Sequence, residues 1–327
     1  MITDNEKSVA QEEKMKIPRG KILWWARILV TLSLAVFLLA QIRGELYQIR
    51  LQLVQPIYLV LAIITVITAI ICSVWLWKMM LLTDNKPGMI VLSAHYLLGL
   101  FYNNFLPGGI GGDVVRIGAL VQGGQKLIVA ANSVLMARLA GLWGIVLLAG
   151  ITVPIFRYAT GEPLALPLIL GSVGALIVTL LISAFLFGAP LAFLVKHLPE
   201  RWRRWHNELR AYRSHPKLLL ITLFLAISIQ ILAVAVNFFM AIALGLSVSF
   251  MMLLVSIPLV NLVTLLPISI GGFGVRETIY FYMLSRFGVS AVEAVVLSLA
   301  VYLLIALVSA LGAAVSQLWV PKNGKDR

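Results

Sequence analysis

Charge is scarce in this chain, and acid scarcer than base. Lysine, arginine, aspartate and glutamate make up 12% of 327 residues against 61% hydrophobic, whereas soluble domains carry about one quarter charged residues and about half apolar. That composition, with a mean hydropathy of +1.00, excludes a water-soluble globule. Thirteen acids oppose 26 lysines and arginines, a formal charge of +13. The bases sit in short loops between apolar runs and form no basic domain, so membrane topology and anionic headgroups account for them and nucleic acid does not. Cysteine occurs once, at Cys72, which rules out an internal disulfide and leaves no second thiol for a metal. Of the four histidines, His197, His206 and His215 share one loop at spacings unlike a metal site, and His95 reads as an interior histidine. No metal or cofactor is expected. There is no Walker A sequence, nucleotide-binding unit or Gly-x-Ser-x-Gly elbow, so any transport is expected to be passive or driven by an ion gradient.

What the chain does have is long apolar runs. Those of about 20 residues or more span a bilayer, and they fall at 22–42, 56–77, 127–153, 164–188, 217–245 and 290–319. The first has no convincing cleavage site behind it and reads as a retained helix. Two further apolar regions, 88–122 and 249–287, are each interrupted by proline and glycines. If both turn back within the bilayer, residues 1–21, the 78–87 loop, the 189–216 loop and the 320–327 tail share one face. That face then collects most of the loop bases, and the other keeps Arg43, Arg50, Arg157 and Arg286. Such asymmetry is the positive-inside pattern, which places both termini in the cytoplasm. The expected fold is an all-α polytopic membrane protein with six full spans and two re-entrant broken-helix hairpins, all within one transmembrane domain over 22–319.

The two interruptions match. Pro107-Gly-Gly-Ile-Gly-Gly-Asp-Val-Val-Arg116 is followed 160 residues later by Pro267-Ile-Ser-Ile-Gly-Gly-Phe-Gly-Val-Arg276. Pro107, Gly108, Gly109, Gly111 and Gly112 in one copy, and Pro267, Gly271, Gly272 and Gly274 in the other, are the expected hinges, since glycine reaches backbone angles closed to other residues. Three spans separate the copies, an odd number, so the hairpins are expected to enter from opposite faces as an inverted repeat. Paired broken helices of this kind mark transporters.

Charges at membrane depth cost about 2.5–3.5 kcal/mol each and are functional candidates. Arg116 and Arg276 stand at equivalent positions where a new helix starts, and helix N-termini with guanidinium groups suit phosphate. Alternatively, Arg116 pairs with Asp113 and Arg276 with Glu277. Arg138, in the middle of the 127–153 run, needs a partner acid, and Asp113 or Glu277 qualifies. Either acid serves coupling or structure; Asp113 also fits a helix cap. Asn103 and Asn104 precede the first break and either bind headgroup oxygens or cap helix ends. The loop at 196–217 interleaves Trp202, Trp205 and Tyr212 with arginines, as an interfacial helix on anionic lipid does.

The stretches Asn103 to Arg116 and Leu266 to Glu277 resemble the two signature stretches of the lysylphosphatidylglycerol synthase transmembrane region family, flippase-like integral membrane proteins, and the resemblance extends over nearly the whole chain. It implies movement of a lipid with a phosphate-bearing headgroup between leaflets, aminoacylated phosphatidylglycerol in fused members and polyprenyl-linked sugars in relatives. The matching positions are Asn104, Pro107, Gly111, Gly112, Asp113, Arg116, Arg138, Gly271, Gly272, Arg276 and Glu277. Fused members continue into a soluble synthase domain, which this sequence does not contain, so aminoacyl transfer is not expected here.

The reading that follows is a lipid flippase of the cytoplasmic membrane, not an enzyme. Its expected partners are anionic or aminoacylated lipids, with a homo-oligomer or a separate lipid synthase as further partners. The alternatives are a membrane-embedded lipid-modifying transferase and a non-transporting lipid-binding subunit.

Overall fold

In the computed structural model, residues 55–105, 111–160, 199–265, 269 and 272–319 are described, with isolated positions between 33 and 180. The apolar runs at 22–42 and 164–188 lie wholly or largely outside these residues, as does the 320–327 tail. The described chain is helical. Its elements are α1 (Pro56–Met80), α2 (Met89–Phe105), α3 (Gly111–Gln122), α4 (Leu127–Thr160), α5 (Glu200–Leu209), α6 (Pro216–Ala243), α7 (Phe250–Thr264), α8 (Val275–Leu284) and α9 (Ala291–Trp319).

Local chemistry sets these boundaries. Proline opens α1 and α6, where its missing N–H costs nothing. Ser249 caps α7 by accepting from the Met252 N–H at 3.3 Å. Ahead of α9, Ser290 and Glu293 cap each other reciprocally, at 3.2 and 3.0 Å, a capping box. α4 runs past the expected end at 153 to Thr160, through Pro154.

Four of these helices, over Pro56–Met80, Leu127–Pro154, Pro216–Ala243 and Ala291–Ala314, are long and apolar enough to cross a membrane. The face of α1 is greasy: Ile57, Val60, Ile64, Ile67, Ile71 and Trp75 are all exposed, at spacings of three or four that put them on one helix face. Four such helices with exposed apolar faces are what an integral membrane protein presents to lipid. The arms around the breaks are shorter. At 1.5 Å per residue, α3 (12 residues) and α8 (10 residues) reach only about 18 and 15 Å, against roughly 30 Å of hydrocarbon.

The order long helix, short helix, break, short helix, long helix occurs twice, as α1–α4 and again as α6–α9. Packing follows the same scheme in both halves: α2 lies against α3 as α7 lies against α8, α3 against α4 as α8 against α9, and α2 crosses to α9 as α7 crosses to α4. α1 and α6 join the halves and run antiparallel. At one end the Tyr212 hydroxyl, just before α6, donates to the Met80 carbonyl at the end of α1, 2.6 Å. At the other, the rings of Tyr58 and Phe239 lie 6.3 Å apart. The first broken pair departs where α1 ends and the second where α6 ends, so they set out from opposite ends of the bundle. The α3–α4 loop also returns to the α1–α2 loop, where the Gln125 amide donates to the Asn85 carbonyl at 2.7 Å.

Tyr212, expected at the lipid interface, is buried instead. It packs with Leu209, Met80 and Leu76, because its phenol satisfies a carbonyl left unpaired by the end of α1. Burial pushes its ionisation well above the usual phenol range.

Candidate functional site

Both breaks border one cavity. It measures about 390 Å³, and its lining includes Asn103 at the end of α2, Asn261 and Thr264 at the end of α7, and Ser269, Gly272 and Arg276 around the second break. α1 contributes Ile70 and Ser73, α6 contributes Asn237, and α9 contributes Ser298 and Tyr302.

Arg276 is held from two sides. Its Nη2 and Nε donate to Glu277 Oε1 at 2.7 and 3.1 Å, and Nε also reaches the Ser298 hydroxyl at 3.2 Å. The guanidinium lies 4.2 Å from the centroid of the Tyr302 ring, a cation–π contact strengthened by partial desolvation. Glu277 is 3% exposed and saturated. Besides Arg276, its Oε1 accepts from Ser298 at 3.3 Å, while Oε2 accepts the Gly274 N–H at 2.7 Å, capping α8. Gly272 and Gly274 have φ of +78° and +79°, left-handed angles that glycine adopts freely, and they aim Arg276 at the cavity.

The first break is built differently. The Asn103 Oδ1 accepts the Gly112 N–H at 2.8 Å, so Asn103 caps α3 from the facing arm. A Cβ at Gly112 would collide with the Gly99 carbonyl, and one at Gly99 would meet the Gly112 oxygen at 2.8 Å, so the backbones of α2 and α3 touch. Asp113 sits in the first turn of α3 and pairs with Arg138 of α4 and, at 3.6 Å, with Arg116. Arg116 is sandwiched, 4.3 Å from the Trp77 ring centroid and 4.6 Å from that of Tyr96. Its side chain is 12% exposed, and its Nε is buried without a partner among the described residues.

Of the three arginines expected to hold phosphate, only Arg276 lines the cavity. Arg116 lies behind Tyr96, which does line it, and Arg138 joins Arg116 through Asp113. Asn103 and Gly272 are lining residues, Gly111 and Gly112 begin α3, and Gly274 caps α8. The side chain of Asn104, and Pro107, Gly108, Gly109, Pro267 and Gly271, lie outside the described residues. Sequence reasoning passed over Tyr96, Tyr302, Ser298 and Asn237. Asn237 carried a usable signal, an amide inside an apolar span, and its Oδ1 accepts from Tyr280 at 2.6 Å. The tyrosines carried none, because an aromatic residue in a membrane helix is unremarkable until its neighbours are known.

Compared with known families, residues 24–312 match the family model described as lysylphosphatidylglycerol synthase TM region. No curated protein and no solved structure matches.

Proposed function

Because the chain belongs to the lysylphosphatidylglycerol synthase TM region family, we propose that it is a flippase, moving a phosphate-bearing lipid of the aminoacyl-phospholipid or polyprenyl-phosphate type between leaflets of the cell membrane. The observation that carries this is the single cavity bordered by both breaks, with the Arg276 guanidinium in its wall. Departure of the two broken pairs from opposite ends of an antiparallel α1/α6 seam supports an inverted repeat of six spans and two re-entrant hairpins. A protein built that way rocks around a central site. The headgroup occupies the cavity while its tails remain in hydrocarbon, and the Arg116, Asp113 and Arg138 cluster behind Tyr96 holds the first hairpin in place.

Transport is favoured over catalysis because Asp113 and Glu277, the acids within the broken regions, are both tied to arginines, which leaves neither free as a general base. Both termini are assigned to the cytoplasm by the distribution of basic loops. Purified protein in liposomes is expected to accelerate the flip of a labelled anionic phospholipid, and Arg276→Ala to remove the acceleration. Equal rates with and without protein across a lipid panel would refute the proposal.

A further inference from the structure

Among the described residues, the lining of the cavity offers hydrogen-bond donors and no carboxylate. Arg276 Nη1, the Asn103 Nδ2, the Ser269 hydroxyl and the phenols of Tyr96 and Tyr302 have no hydrogen-bond partner among the described residues, and all five residues line it. Ser269 is 4% exposed, and a buried hydroxyl without a partner is costly unless a guest supplies one. The oxygens that face the cavity belong to neutral amides and hydroxyls. Glu277 is not a lining residue, and its acceptor sites are taken by Arg276, Ser298 and Gly274. Asp113 is turned to Arg116 and Arg138.

The sequence closes the remaining gap. Residues 104–110 and 266–271, at the two breaks, contain no aspartate or glutamate, and of the other described acids Asp84 lies in the α1–α2 loop, Glu200 and Glu208 in α5 and Glu293 in the first turn of α9. An ammonium group in this cavity would leave water without gaining a counter-charge, a large desolvation cost. A phosphodiester would gain a guanidinium and several neutral donors.

We propose that the headgroup taken by this cavity is an anionic phosphodiester bearing hydroxyl groups, of the glycerol- or sugar-phosphate kind, without an ammonium. This rests on the transport reading and, of the two lipid types named there, sets aside the aminoacyl one. Asn103→Asp is the diagnostic change. It keeps an oxygen for the Gly112 N–H and replaces the free amide donor with a carboxylate oxygen on the cavity wall.

The test places the full chain in phosphatidylcholine nanodiscs with low, equal fractions of phosphatidylglycerol and its lysyl ester, and reads the bound lipid by native mass spectrometry. Phosphatidylglycerol should be favoured by about tenfold, the size of one charge-assisted hydrogen bond. Asn103→Asp should abolish or invert that preference. Ser269→Ala, a small change that disturbs no protein hydrogen bond among the described residues, should lower phosphatidylglycerol retention and serves if the Asn103 variant fails to fold. Equal or better retention of the lysyl ester by the unmodified protein overturns the proposal. A parallel liposome flip assay separates the two claims: selective binding without flipping supports the cavity chemistry and sinks the transport reading, whereas flipping of the lysyl ester without phosphatidylglycerol selectivity does the reverse.

Discussion

Replacing Glu277 by Gln tests whether the second break is held by charge or merely by shape. The carboxylate accepts two Arg276 N–H groups, the Ser298 hydroxyl and the Gly274 N–H, at 2.7–3.3 Å, and is 3% exposed. Glutamine has nearly the same volume but one acceptor oxygen, so its NH₂ must face either the Gly274 N–H or the guanidinium, donor against donor. Removing one partner of a buried ion pair costs about 3–5 kcal/mol, because the other charge is stranded. Arg276 has 16% side-chain exposure and keeps its Tyr302 contact, so the lower end, about 3 kcal/mol, is expected. Equilibrium unfolding in detergent of the wild type, Glu277→Gln, Arg276→Met and the double variant closes a thermodynamic cycle. The double variant should lose less than the sum of the singles by about 2 kcal/mol, in the range for contacting residues. The single variant, with its arginine uncompensated, should be stabilised more by anionic lipid than the wild type is. A coupling below about 0.5 kcal/mol, the scatter expected of independent sites, would refute the claim that this pair organises the break.

Three further outcomes are expected. Gly112→Ala should destabilise by about 1–3 kcal/mol, the range for overpacking. Gly118→Ala, on the same helix with open space at its Cβ, should be neutral or stabilising by up to about 1 kcal/mol, and thermal unfolding of the pair compares them directly. Tyr212→Phe should cost about 1 kcal/mol through its lost hydrogen bond to Met80. Because burial raises the folded-state ionisation of Tyr212, its stabilisation is complete below the unfolded phenol value of about 10 and fades as pH rises above it; an unfolding series across that range should show a steeper alkaline loss for the wild type than for Tyr212→Phe. Since Asp113 and Glu277 are both ion-paired, collapsing a pH gradient in liposomes should change the flip rate by less than about twofold, under half a kcal/mol; a larger fall would mean that one of these acids carries protons.

Much of the helical layout was legible because apolar length and the proline–glycine breaks are one-dimensional signals. The region expected over 88–122 is α2 and α3 with the break between them, and 249–287 holds α7 and α8. The partners of Arg116 and Arg276 were legible too, as short-range pairs of acid and base. The rotation of each helix about its axis was not. The sequence does not say that Arg276 turns to the cavity and Arg116 to Trp77 and Tyr96, since both stand at the same repeat position and packing against different neighbours sets their directions. The same limit hid Tyr302, which lies a helix away from the arginine it covers.

The contact between Gly99 and Gly112 alters what glycine is for in the first broken pair. Residues that look like flexible joints in one dimension act there as a zipper, bringing two backbones so close that α2 and α3 must travel as one plank. On the transport reading proposed above, motion that exposes the cavity first to one leaflet and then to the other therefore belongs elsewhere, and the long apolar seam of α1 against α6 is the slip plane we propose for it. Crosslinking that seam should freeze exchange between leaflets, whereas tethering the plank to itself should not.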